Sequence, residues 1–167
     1  MVKEQRIIPL EKKHIEQLSI WHYAEWTNIY PDYKIENFKK ELSNHLTGNE
    51  KIPCTWVLVT GSELIGSVSL LEDDLENNVD LNPWLGNLYV KKKYRNQGIG
   101  EMLLKFATAK AINWDVSNLF LYTLNDTEFY KKRGWNLHKE CKVNEQSIKI
   151  MKYEISAKYH CTQNNHQ

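Results

Sequence analysis

At 167 residues and 19.8 kDa the chain has the size of one domain. Hydrophobic residues at 41% and charged residues at 26% exclude wholesale disorder. Lys plus Arg (22) nearly cancels Asp plus Glu (21), and the net charge of +1 argues against a protein built to coat nucleic acid or a membrane surface.

The elements follow in chain order. Residues 1–13 lack the apolar stretch of a secretory signal or a transit peptide, and no window approaches 18 apolar residues. Arg6 to Leu10 reads as a short strand. From Glu11 to Trp26, Ile15, Leu18, Trp21 and Ala24 or Glu25 keep helical spacing. Pro31 and Asp32 break that helix. A second is predicted from Glu36 to Leu46, with Phe38, Leu42 and Leu46 on one face and Gly48-Asn49 as its stop.

The period then changes. Thr55 to Thr60 is β-branched and aromatic, Gly61-Ser62 suits a tight hairpin, and Leu64 to Leu71 continues as a strand. Residues 72–82 read as an acidic and polar loop. After Pro83, Trp84 to Val90 reads as a mostly buried strand, and Lys91 to Gly100 as a basic turn. A long helix follows, with Ile99, Met102, Leu103, Phe106, Ala109 and Ile112 at helical steps. Leu119 to Thr123 is another buried strand. Asp126 is placed to cap a short helix, Thr127 to Lys132, that stops at Gly134. Trp135 to Val143 and Ser147 to Ile155 close the pattern as a strand pair. Hairpins joined to a strand–helix–strand crossover imply a mixed sheet covered by helices, an α/β chain in the order β-α-α-β-β-β-α-β-α-β-β.

Cys54, Cys141 and Cys161 are odd in number and far apart, with no zinc-ligand spacing. A disulfide framework is therefore not expected, and a reducing, cytoplasmic setting is. His14, His22 and His45 show no metal-ligand spacing either, so no metal is predicted.

The richest local feature is Arg95-Asn96-Gln97-Gly98-Ile99-Gly100, between a buried strand and an amphipathic helix. Backbone N–H groups at a helix start are unpaired and bind anions. Glycines there remove the Cβ atoms that would hold a phosphate away, and Arg95 adds a cationic fork. The hexamer alone is weak; its placement carries the reading. A dinucleotide fingerprint would need a glycine at position 103, which is Leu, and a P-loop would need Gly-Lys-Ser/Thr. Downstream lies Phe129-Tyr130-Lys131-Lys132-Arg133-Gly134-Trp135, leading from a short helix into a strand.

Together these motifs resemble the GNAT superfamily of acyl-CoA-dependent N-acetyltransferases. The family pattern Gln/Arg-x-x-Gly-x-Gly/Ala is matched from Arg95 to Gly100, with apolar Val90 five positions earlier. A second family motif, Phe-Tyr-x-x-x-Gly-Phe/Tyr, is matched by Phe129-Tyr130 and Gly134-Trp135. The resemblance spans residues 6–155, is closest to small bacterial members, and implies one GNAT-like domain over 1–155 with a polar tail over 156–167. It departs from members that acetylate histones and other proteins at one point. Many of those carry a Glu general base in the middle of the fourth strand, and none stands near Trp84 here.

The resemblance implies acetyl-CoA in a V-shaped gap between splayed central strands, with Gly86 suited to a bulge. Leu88 and Val90 would pair with the pantetheine arm, and the Val90 N–H would polarise the thioester carbonyl. Arg95, Asn96, Gln97, Gly98, Ile99, Gly100 and Glu101 would hold the pyrophosphate, with Lys92 and Lys93 adding charge. Tyr130 is the candidate acid for the leaving thiolate. A phenol near pKa 10 donating to a thiol near about 8.5 is uphill unless the transition state or a perturbed pKa helps.

A base is sought in the acidic run, where residues 72–80 hold five carboxylates and no basic residue. Asp73 and Asp74 are the candidates, against the plainer reading of a solvated loop. Trp26, Tyr30 and Trp84 are candidate walls of an acceptor pocket, against the plainer reading of core packing. The expected function is acetyl transfer to a primary amine of a small molecule or peptide. No nucleic acid or membrane partner is expected, and a homodimer is allowed because many relatives pair through their C-terminal strands. The competing readings are a non-catalytic acyl-CoA-binding module and a nucleotide-phosphate binder.

Overall fold

A computed structural model describes residues 3–46, 51–75, 77–78 and 80–155. The predicted helix stop at Gly48-Asn49, Glu76 of the acidic run, Cys161 and the tail 156–167 lie outside the described residues. The chain runs β1 (Gln5–Pro9), a 3-10 turn (Lys12–His14), α1 (Ile15–Trp26), α2 (Ile35–Asn44), β2 (Cys54–Thr60) and β3 (Glu63–Leu71). It continues with β4 (Trp84–Val90), a 3-10 turn (Lys92–Tyr94), α3 (Ile99–Asn113), β5 (Asn118–Thr123), α4 (Thr127–Lys131), β6 (Asn136–Val143) and β7 (Gln146–Glu154). This is the predicted order, with ends shifted by one or two residues except in the first helix, which starts at Ile15 after the 3-10 turn and not at Glu11.

Among the described residues the strands form one mixed sheet in the order β1-β2-β3-β4-β5-β7-β6. Neighbours pair antiparallel except β4 and β5, which are parallel. The alternation along β2 explains how both faces are covered. Trp56 and Leu58 join Leu103, Leu104, Ala107 and Ala111 of α3 in one core. Val57 and Val59 join Ile15 and Leu18 of α1 and Leu42 of α2 in another.

Three helix faces differ from expectation. In α3 the buried stripe is Ile99, Leu103, Leu104, Ala107, Thr108 and Ala111, while Met102 is 42% exposed. The sheet selects the face on which small Ala and Thr side chains let the helix approach, and leaves longer Met102 at the rim. In α1 the buried face includes Ser19 and His22 instead of Ala24. Leu46, expected beside Phe38 and Leu42, is exposed because α2 ends at Asn44. Asp126 stands at the start of α4 but makes no side-chain cap bond among the described residues; its N–H is held by Thr123 Oγ1 at 3.0 Å.

Candidate active site

β4 and β5 touch at one end only. Among the described residues a single register pair, Trp84 with Phe120, joins them, anchored by the Phe120 N–H to the Pro83 carbonyl at 3.1 Å. Beyond it the strands diverge. The divergence begins at a bulge in β4. Ser67 pairs with Tyr89 and Ser69 with Gly86, so two steps on β3 face three on β4. Asn87 has φ +52°, the left-handed region. The bulge therefore lies on Asn87, next to the glycine expected to form it. Gly86 has another reason to be glycine. A Cβ there would lie 2.7 Å from Leu71 Cδ1 and 2.9 Å from Asp74 Oδ2. The missing side chain is the space that Asp74 occupies.

At the far end of β4 the Lys91 N–H bonds the Ile65 carbonyl at 2.8 Å. By the alternation of an antiparallel ladder, the N–H and C=O of Val90 then face the gap. Next comes the phosphate turn. Gly98 precedes α3 with φ +80°, and a Cβ there would meet nothing within 4 Å. The first helical bond runs from Met102 N–H to the Gly98 carbonyl, so the N–H groups of Ile99, Gly100 and Glu101 have no acceptor within the helix. A cleft of about 480 Å³ lies over this turn. It is lined by Leu88, Val90, Arg95, Asn96, Gly98, Ile99, Gly100 and Glu101 among others. Of the predicted cofactor residues only Gln97 is not on its wall, and the Gln97 amide reaches back to the Lys93 carbonyl at 3.4 Å.

The charges around the turn are arranged differently from expectation. Lys93 pairs with Glu63 at 2.8 Å, and Glu63 also takes Lys91 at 3.0 Å and the Tyr94 hydroxyl at 2.7 Å. These hydrogen bonds hold the Glu63 carboxyl down at about 2. Arg95 lies in the cleft, its Nε donating to the Val90 carbonyl at 2.7 Å and its guanidinium 3.8 Å from Glu25. The other cation on the wall is Arg133, which the sequence reading did not single out. It stacks on the Phe129 ring at 3.8 Å and pairs with Glu101 at 3.2 Å. The spacing of four from Phe129 was the available signal.

A second cavity, about 260 Å³, opens beside the bulge and contains Trp26, Tyr30 and Asp74. Glu41, Tyr33 and Tyr122 join them, residues to which the sequence assigned no site role. Four carboxylates line it (Glu25, Glu41, Asp74 and Asp126), and no Lys or Arg does among the described residues. Burial, and then the charge of Glu41, push the Asp74 carboxyl up to about 8. Burial likewise raises Glu41, whose Oε1 accepts the Tyr33 hydroxyl at 3.0 Å. Tyr30 donates its hydroxyl to the Asp74 backbone carbonyl and stands 3.4 Å from the Tyr122 hydroxyl.

Other predicted site residues separate. Asp73 is exposed and lines neither cavity. Trp84 is fully buried against Phe120, its indole N–H bonded to the Leu81 carbonyl, so it is core and not pocket wall. Tyr130 is buried and borders both cavities, as do Glu25, Leu88 and Asp126. Burial, and then Asp126, raise the Tyr130 phenol above its ordinary value. Among the described residues no His, Cys, Asp and Glu group has metal-binding geometry, and no helix is long and apolar enough to cross a membrane.

The comparisons with known proteins agree with this geometry. An uncharacterised N-acetyltransferase from the pepI 3′ region of Lactobacillus delbrueckii subsp. lactis is 32% identical over 85 residues, which cover 47% of this chain and 49% of that one. The chain thus spans about half the length of the curated relative it matches. A spermidine N-acetyltransferase chimera, SpeG from Vibrio cholerae with hSSAT, superposes at TM-score 0.69 and 14% identity, over 92% of this chain and 96% of the other. An aminoglycoside 6′-N-acetyltransferase complexed with coenzyme A superposes at TM-score 0.69 and 15% identity, over 90% and 97%. At such identities the likeness is one of fold. Residues 51–137, just over half of the chain, match the Acetyltransferase (GNAT) domain. That stretch carries the bulged β4, the phosphate turn and Tyr130, and with it the chain belongs to the GNAT acetyltransferase family.

Proposed function

We propose that this protein is an acetyl-CoA-dependent N-acetyltransferase that moves the acetyl group directly to a primary amine of a small molecule or peptide. The observation that carries the reading is the meeting of two cavities at Leu88 and Tyr130, one over the phosphate turn and one lined by carboxylates. The turn fits a pyrophosphate, because its glycine leaves open space and its helix-start amides lack helical acceptors.

Acetyl-CoA would supply an acetyl group activated as a thioester. The amides of Gly98, Ile99, Gly100 and Glu101, with Asn96, Gln97 and Arg95, would bind its phosphates. The strand edge at Leu88 and Val90 would align its arm, and the Val90 N–H would hydrogen-bond the carbonyl oxygen. The amine nitrogen forms a bond to the acetyl carbon while the carbon–sulfur bond breaks. Asp74, directly or through water, would take the proton that leaves the amine neutral, Tyr130 would give its proton to the departing sulfur, and the proton shed by the new amide nitrogen would restore the phenol.

The acceptor is a cationic amine. Four carboxylates and several aromatic rings surround the second cavity, and a cation there would draw the Asp74 pKa back down. Spermidine and aminoglycosides, named in two structures of this fold, are polycationic amines. Thermal-shift titration with acetyl-CoA, CoA, ATP and NAD tests the cofactor, and release of free thiol across an amine panel tests turnover. Stabilisation by CoA with thiol release on adding an amine is expected. Failure to bind CoA overturns the reading, and binding without thiol release from any amine leaves a non-catalytic module.

A further inference from the structure

A buried chain of hydrogen bonds grips the bulge in β4, and the mechanism above does not use it. Asn87 is held twice by β3. Ser67 Oγ donates to the Asn87 backbone carbonyl at 2.7 Å, and Asn87 Nδ2 donates to Ser69 Oγ at 3.0 Å. Ser67 and Ser69 are both fully buried and lie on β3 at the two register positions that flank the bulge. They hold β4 where the extra residue interrupts the ladder.

The chain continues behind the serines. His22 Nε2 lies 3.1 Å from Ser67 Oγ. Ser67 spends its own proton on Asn87, so His22 donates through Nε2 and is the neutral tautomer with a bare Nδ1. That agrees with its burial, which pushes the imidazole down to about 3, and with Nδ1 having no hydrogen-bond partner among the described residues. On the other side Ser69 lies 2.6 Å from Thr55 Oγ1, and Thr55 lies 2.8 Å from His45 Nδ1. With Asn87 donating to Ser69, Ser69 is free to donate to Thr55 and Thr55 to His45, an arrangement in which every hydroxyl of the chain has both a donor and an acceptor partner. Such a network favours one geometry, because turning Ser67, Ser69 or Thr55 strands a buried hydroxyl.

We propose that Asn87, clamped by Ser67 and Ser69, is a positioning residue that sets the cofactor strand edge at Leu88 and Val90. The proposal rests on the acyl-CoA reading above. Asn87 lies between Trp84, which makes the one β4–β5 register pair among the described residues, and the two residues whose backbone would meet the pantetheine arm. Its left-handed backbone rotates the strand, and its side chain fixes how far.

Glycine at position 87 separates these two contributions, since it keeps φ near +52° without strain but cannot reach Ser69. Isothermal titration of CoA is the measurement, with thermal melting beside it. Ser67→Ala, Ser69→Ala and Asn87→Gly are each expected to weaken CoA binding five- to tenfold. Ser19→Ala deletes another buried hydroxyl, bonded to the Ile15 carbonyl within α1, and is expected to leave the affinity within twofold of wild type. If Ser67→Ala does not fold, Asn87→Gly and Ser69→Ala decide the matter. Wild-type affinity in those two, even with lowered melting temperatures, means that the clamp only stabilises the fold and overturns the proposal alone. A wild-type protein that does not bind CoA overturns the acyl-CoA reading, and the proposal with it.

Discussion

The carboxyl of Asp74 occupies the place where a side chain at Gly86 would be. A Cβ on Gly86 would come within 2.9 Å of Asp74 Oδ2 and 2.7 Å of Leu71 Cδ1. Gly86→Ala is therefore expected to cost about 1–3 kcal/mol of stability, the usual range for overpacking. It also displaces Asp74, so the Michaelis constant for the amine should rise more than that for acetyl-CoA. Urea denaturation and steady-state kinetics check the two effects; equal Michaelis constants with unchanged stability would show that the neighbours yield freely.

Asp74 has a second, pH-dependent consequence. Its carboxyl is raised from 3.8 to about 8 by burial and by Glu41. Between roughly pH 4 and 8 the folded state keeps a proton that the unfolded state has released, so this group makes stability fall as pH rises through that window. Asp74→Asn removes the fall, and its melting temperature should gain on wild type from pH 4 to pH 8. In the kinetics, wild-type kcat/KM should rise with pH through an apparent value near 8, and the variant should lose that limb. An unchanged limb would assign the proton to another group.

Tyr130 borders both cavities, and its phenol is held protonated by burial. Tyr130→Phe should lower turnover at least tenfold, about 10²–10⁴ being typical of positioned acids, and leave CoA affinity intact. Pre-steady-state thiol release with CoA titration separates these. Unchanged turnover would make Tyr130 a packing residue.

Trp84 tests the division between core and pocket. Its ring is fully buried against Phe120, and its N–H is spent on Leu81. Trp84→Phe should lose about 1–3 kcal/mol through the smaller ring and the stranded carbonyl. The amine's Michaelis constant should stay within twofold of wild type. A large change there, with stability preserved, would return Trp84 to the acceptor site.

The sequence alone determined the order of elements, because strand and helix periods depend on local spacing and because Pro31, Pro53, Gly61, Pro83 and Gly134 fall at the joints. It also singled out the candidate phosphate turn, since Arg95 to Gly100 is contiguous and any anion site there would come from the backbone of one strand–helix junction. The carboxylate-lined cavity was only partly legible. Trp26, Tyr30 and Asp74 could be named, but Glu41 and Tyr122 come from α2 and β5, and no spacing along the chain links them to Asp74. Tertiary structure alone separated Asp74 from its exposed neighbour Asp73 and sent Trp84 into the core, because burial is decided by what packs from elsewhere. It also moved the bulge from Gly86 to Asn87, where two serines of the adjacent strand supply the hydrogen bonds that the interrupted ladder cannot. A bulge belongs to a pair of strands, and its position is a property of their register.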